Sequence, residues 1–211
     1  MSALRKEYPK QVVSIADAMN RALTNGFQEA PATVKAAASN ECYQFDLAAI
    51  DFQSRARRLG MGPEMTASAL EKARVSMHRV CGVCDSPIEK ALVPWLILAD
   101  YDPFLTAPAR VHLVKEDKLP PVADVLIIPQ FTFARFRFDF AVVGEWKSNS
   151  RIVAVECDGQ DYHNRAADDV RDRYLAAFNI TTIRATGSDA YHNPGRVAAR
   201  VALSLSTWAA Q

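Results

Sequence analysis

The chain has 211 residues, of which 49% are hydrophobic and 23% charged, an ordinary globular composition sufficient for one domain with a modest extension. Lys and Arg number 25 against 24 Asp and Glu, so the net charge is +1 and any nucleic-acid partner must be met by a local patch. No apolar run approaches the roughly 20 residues that span a bilayer, residues 1–10 carry no apolar signal core, and 4 cysteines are too few for a disulfide framework; a soluble, reduced, cytoplasmic protein with no membrane partner is expected.

The first third reads as helix. Val12, Ile15, Ala16, Met19 and Leu23 recur at helical spacing over 11–23, and Asn25-Gly26 stops that run. An Ala-rich helix is expected over 31–39, then two more over 45–59 and 63–80, separated by Gly60-Met61-Gly62. This last pair has the cadence of a DNA-reading helix-turn-helix, but the same cadence serves any packed helical hairpin. Arg55, Arg57, Arg58, Lys72, Arg74 and Arg79 make these helices locally basic, suited either to phosphates or to a solvated face. His78, Cys81 and Cys84 are spaced like zinc ligands but lack a nearby fourth, so plainly buried thiols are the expectation.

From Cys81 the texture changes, and two regions are expected: a helical one over 1–80 and an α/β domain over 81–211. Ser86, Pro87 and Glu89 supply a cap, a first-turn proline and a first-turn acid for a helix reaching about residue 99. Residues 101–123 read as loop with one short strand over 110–114. Strands rich in Val, Ile and Phe follow at 124–133, 135–143 and 151–157, the last two joined by a turn over 144–150. A helix over 165–178, a strand over 180–185 and a closing helix over 194–208 complete a mixed sheet flanked by helices.

The informative feature is acid inside strands that are apolar on both faces. Asp139, Glu156 and Asp158 interrupt such strands, and an isolated buried carboxylate costs several kcal/mol unless it is paired, hydrogen-bonded or metal-bound. If 135–143 and 151–157 form a hairpin with Val143 opposite Ile152, Asp139 faces Glu156 and Arg137 faces Asp158, with Cβ atoms ~5 Å apart. A slip of one residue would send Asp139 and Glu156 to opposite faces. Two facing carboxylates repel unless a cation lies between them, and hard oxygen donors select Mg²⁺ or Mn²⁺. The other reading is structural: Arg137 paired with Asp158, and Asp139 with another base. His163, just past the strand, is placed to accept a proton from an attacking water, or is an ordinary surface histidine.

Six blocks occur in order: Ser86-Pro-Ile-Glu89, Pro129-Gln130, Arg137-Phe-Asp139-Phe, Val155-Glu-Cys-Asp-Gly-Gln-Asp-Tyr-His163, Arg171-Asp-Arg-Tyr-Leu175 and Ile183-Arg-Ala-Thr-Gly-Ser188. Together they resemble an endonuclease-domain family related to very-short-patch repair endonucleases, within the restriction-endonuclease-like superfamily. The resemblance covers about residues 84–202. It implies a restriction-endonuclease-like mixed sheet flanked by helices, with an N-terminal helical extension. It further implies a metal-dependent DNA endonuclease, using Mg²⁺ or Mn²⁺ and serving repair or defence, either as a homodimer or in a larger assembly. Asp139 and Glu156 match the metal carboxylates, and Glu89 the helix acid that completes the metal shell. Gln130 matches a first-strand Gln that orients water or phosphate. Asp158 stands where the superfamily has lysine, which removes the cation that would orient the nucleophile; His163 matches a histidine able to act as base instead. Arg137, Arg165, Arg171 and Arg173 are the candidate phosphate contacts; Arg165, Arg171 and Arg173 also interleave with Asp168, Asp169 and Asp172 in the manner of local helix ion pairs, leaving one or two to reach phosphate or the acidic strand ends. The missing lysine also motivates the rival reading, a catalytically inactive module of the same fold that binds nucleic acid or a partner protein.

Overall fold

In a computed structural model the described residues are 41–101, 107–113, 125–146, 149–158 and 165–209. The helices expected over 11–23 and 31–39 lie outside them, as does His163. Among the described residues the elements run α1 (Glu41–Arg58), α2 (Pro63–Cys81), α3 (Pro87–Ile97), β1 (Arg110–Val111), β2 (Val125–Phe133), β3 (Phe136–Trp146), β4 (Asn149–Asp158), α4 (Arg165–Ala176), β5 (Ile180–Thr186), α5 (Gly187–His192) and α6 (Pro194–Ala209).

The strands form one mixed sheet in the order β1-β2-β3-β4-β5. β2, β3 and β4 are antiparallel neighbours, β1 runs parallel to β2, and β5 runs parallel to β4 after the crossover through α4. The turn expected over 144–150 is shorter than the sequence suggests. Gly144 pairs with Arg151, Glu145 with Ser150 and Trp146 with Asn149, because even polar residues at a hairpin end satisfy their backbone groups in the ladder. The short helix α5 was not expected. Thr186 and Asp189 form a reciprocal capping box that starts it directly at the end of β5.

One face of the sheet presents Val125, Ile127, Phe140, Val142, Val153 and Val155 to a core completed by α1, α2, α3 and α6 through Phe45, Phe52, Met77, Leu92, Leu96 and Val201. Each such side chain contributes about 1.5–3 kcal/mol by leaving water. The apolar faces of α1 and α2 are therefore spent on this core. Two of their basic residues serve packing as well: Arg74 lies 4.6 Å from the Phe45 ring centre, and Arg55 donates to the Leu98 carbonyl. On the opposite face Phe138, Ala154 and Ile180 pack with Leu175 of α4.

The contact between α3 and α6 depends on a missing side chain. A Cβ built on Gly195 would lie 2.8 Å from the Trp95 ring, which cannot swing aside freely because its Nε1 donates to Gln44 Oε1 at 2.8 Å. Gly195→Ala would gain about 1 kcal/mol of helix propensity against overpacking of about 1–3 kcal/mol. The expected net result is a melting temperature lowered by several degrees in a thermal unfolding scan; an unchanged or higher midpoint would mean that the helices part without cost.

Candidate active site

The hairpin register is the one the sequence implies, with Val143 opposite Ile152, and the ladder continues to Phe140 opposite Val155. At the next step the strands separate. Asp139 Oδ2 accepts the backbone N–H of Cys157 at 2.6 Å, so a carboxylate stands where a ladder bond would otherwise form. Past this point β4 keeps its pairing with β5, from Glu156 opposite Arg184 to Asp158 opposite Thr186. The β2–β3 register steps over Gln130 and Asp139, which lie across from one another between the pairs Pro129–Phe140 and Phe131–Phe138. Gln130 has φ +52°, a left-handed conformation that costs a non-glycine residue roughly 1–2 kcal/mol and turns its side chain out of the regular pleat.

Glu89 reaches the same place from the helix side. Ser86 caps α3 by accepting the Glu89 N–H at 3.2 Å, which fixes Glu89 in the first turn. Its carboxylate does not close a reciprocal box with Ser86. Instead Oε2 accepts the Asp85 N–H at 3.1 Å and the Gln130 Nε2–H at 2.7 Å. Glu89 is only 3% exposed, so these charge-assisted bonds and the helix N-terminus offset its loss of water. The other end of the Gln130 amide is different: Oε1 is buried with no hydrogen-bond partner. A buried acceptor in that state costs about 1–3 kcal/mol, a cost that a bound water or cation at this oxygen would remove.

Glu156 has a guanidinium beside it. Arg171 of α4 forms an ion pair with its Oε1, the two side chains being 20% and 12% exposed. The same guanidinium lies 5.2 Å and 5.4 Å from the ring centres of Phe136 and Phe138. The sequence allows one or two of Arg165, Arg171 and Arg173 to reach the acidic strand ends, but not which, because nothing in the local pattern states which way α4 crosses the sheet. Arg137, expected opposite Asp158, pairs with Asp85 at 3.1 Å, and both side chains are well exposed. Arg173 is exposed, its Nε donating to the Asp169 carbonyl. The side chains of Asp158 and Arg165 lie outside the described residues. Asp172 turns onto Arg184, whose hydrogen bonds hold its carboxyl below the ordinary value. Burial pushes the Cys84 thiol up, with Cys81 and then Glu89 and Asp139 adding to the effect; burial likewise takes Cys81 up to about 12, so both thiols are protonated at neutral pH.

Residues 122–205 match the model of REase_MTES_1575, a restriction-endonuclease-like family. This part of the chain resembles a restriction-endonuclease-like domain, and the mixed sheet flanked by helices is consistent with that fold. No curated protein and no solved structure gives a significant match. The matched region holds β2 to β5 with α4 and most of α6, and therefore Gln130, Asp139, Glu156 and Arg171; Glu89 comes from the helix before it.

Domains of this fold usually work with a divalent metal. Glu89 and Asp139 carry carboxylate oxygens and Gln130 a donor-less amide oxygen, the donor chemistry that Mg²⁺ or Mn²⁺ favours. Among the described residues no group of three or more His, Cys, Asp or Glu side chains is gathered closely enough to hold a metal by itself. No helix among the described residues is long and apolar enough to cross a membrane.

Proposed function

We propose that this protein is a metal-dependent DNA endonuclease that hydrolyses phosphodiester bonds. What supports the reading is that Gln130, hydrogen-bonded to Glu89, lies across from Asp139 in the β2–β3 register, at the point where β3 and β4 part and one step from Glu156 near the carboxyl end of β4. Asp139 and Glu89 would hold Mg²⁺ or Mn²⁺, joined by Glu156 once Arg171 turns from it to a phosphate. Bound there, the ion supplies charge neutralisation at the phosphate and lowers the pKa of a bound water. Gln130 Oε1 accepts a hydrogen bond from the attacking water and orients it. His163 takes the water's proton as attack on phosphorus proceeds in line with the departing oxygen. Asp158 orients His163 or supplies a further oxygen ligand. Arg137, Arg165, Arg171 and Arg173 contact the DNA backbone.

In this reading the nuclease domain occupies 81–211, the helices of 1–80 extend it, and the protein works in the cytoplasm as a homodimer or within a repair or defence assembly. A second reading rests on two observations: Asp158 stands at the position of the superfamily lysine, and Glu156 already has an arginine counter-ion. It makes the chain a binding module without turnover.

Purified protein incubated with supercoiled, single-stranded and mismatched DNA separates the two. Nicking or linearisation in Mg²⁺ or Mn²⁺ that EDTA abolishes is the expected result. Binding to these DNAs without cleavage in either metal favours the module.

A further inference from the structure

We infer that the aromatic face formed by Phe133, Phe136, Tyr174 and Phe178 is a stacking platform for unpaired bases of a nucleic-acid strand that enters or leaves the candidate active site. The inference deepens the nuclease reading and rests on it, by giving the substrate a single-stranded segment next to the scissile bond.

The platform begins with the helix pattern. Leu175 turns into the core, whereas Val170, Tyr174 and Phe178, four residues apart, line the outside of α4 and its end. They are 55%, 44% and 53% exposed, and they make up three of the eight large hydrophobic side chains exposed among the described residues. Scattered apolar side chains on a surface need no explanation, but a contiguous group does. Here the rings touch in series. Phe136 lies 5.7 Å from Tyr174, Tyr174 lies 5.2 Å from Phe178, and Phe178 meets Phe133 edge-on at 5.2 Å. Phe133 and Phe136 flank the β2–β3 turn, so helix and hairpin hold the rings in place and little side-chain entropy remains to be lost on binding.

Charge selects the occupant. Arg135 lies 5.2 Å from the Phe136 ring centre, and Arg171 contacts the same ring at 5.2 Å while pairing with Glu156. Phe136 is thereby the link between the platform and the active-site carboxylates. Arg173 is exposed on α4. Of the acids on that helix, Asp168 and Asp172 face Arg184, and Asp169 is exposed. A contiguous aromatic patch in which Tyr174 and Phe178 are exposed, with arginines at its edge, matches a strand of nucleic acid, whose bases stack on aromatic rings while its phosphates meet the cations. In an intact duplex the base faces are covered by their neighbours, so the platform discriminates for unpaired segments. A second copy seated face to face would crowd Arg135 and Arg173 of both chains into one rim.

The test is binding by the full chain in EDTA, where cleavage cannot occur, read by the anisotropy of a labelled single-stranded oligonucleotide of mixed sequence and of the same sequence as duplex. The single strand should bind more tightly. Tyr174→Ala and Phe178→Ala should each weaken single-strand binding roughly tenfold, in keeping with the loss of one stacked base, whereas Tyr174→Phe, which keeps the ring, should bind as wild type does. Arg135→Ala should reduce the salt dependence by about one phosphate contact, and it remains informative if either ring variant fails to melt cooperatively. Equal single-strand affinity in folded Tyr174→Ala, Phe178→Ala and wild type would overturn the proposal. So would a preference for duplex, or a wild-type dimer in sedimentation that Tyr174→Ala dissociates. Because this readout requires no turnover, absence of cleavage in Mg²⁺ or Mn²⁺ counts against the nuclease reading and leaves the platform to be judged by binding.

Discussion

Asp139→Asn is expected to lower metal-dependent cleavage by about 10²–10³-fold or more, the size of loss seen when one preorganised charge-stabilising group is removed from an active site. The variant is chosen for what it retains. Asn has nearly the same shape, and its amide oxygen can still accept the Cys157 N–H that Asp139 Oδ2 accepts at 2.6 Å, so the parting of β3 and β4 should survive. What it removes is the negative charge that a hard cation requires. The companion measurement is thermal: a metal that binds only the folded chain adds about 2.7 kcal/mol at one hundred times its Kd, worth about 5–10 °C in a chain of this length. Mg²⁺ or Mn²⁺ should raise the wild-type midpoint by that order and leave Asp139→Asn nearly unmoved. Equal shifts in both proteins would place the metal away from Asp139, and the proposed chemistry with it.

The parts of this site that were legible in the sequence are those set by short-range rules. The hairpin itself was legible from two Val- and Phe-rich runs joined by a short polar turn; with Val143 set opposite Ile152, as observed, counting back along the ladder places Asp139 and Glu156 at the step where the strands part. Ser86 and Pro87 announced the start of α3 and so the placement of Glu89. The capping box at Thr186 could have been read in the same way, since Asp189 stands three residues on, yet the short helix it begins went unanticipated. Long-range geometry was beyond reach. That Asp139 would bond to the backbone of Cys157 depends on the exact point where two strands part. That Gln130 would adopt φ +52° and bring its amide to Glu89 depends on the packing of α3 over the sheet. That Arg171 would find Glu156, 15 residues away in sequence, depends on the direction in which α4 returns across β4. Arg137 shows the same limit from the other side: the residue register put it opposite Asp158, whereas its long side chain reaches Asp85.

Arg171→Met should destabilise the metal-free protein by about 3 kcal/mol, the low end for stripping one partner from a buried ion pair, and lower its melting temperature by roughly 6–12 °C. Met keeps an apolar stem against Phe136 and Phe138, so the loss reports mainly on Glu156, whose carboxylate stays mostly buried without its guanidinium. Adding Glu156→Gln to Arg171→Met should recover much of the stability, because the double variant no longer buries a carboxylate stripped of its guanidinium, and the cycle of four proteins isolates the coupling of the pair. If Arg171 holds the place that a metal takes during turnover, Mg²⁺ should raise the melting temperature of Arg171→Met by more than it raises that of wild type, since the ion then meets Glu156 without having to displace an arginine. A purely structural pair predicts the opposite: the same loss of stability, with a Mg²⁺ response no larger than that of wild type. The sign of that difference decides whether Arg171 merely braces β4 against α4 or guards an acid that the reaction uses.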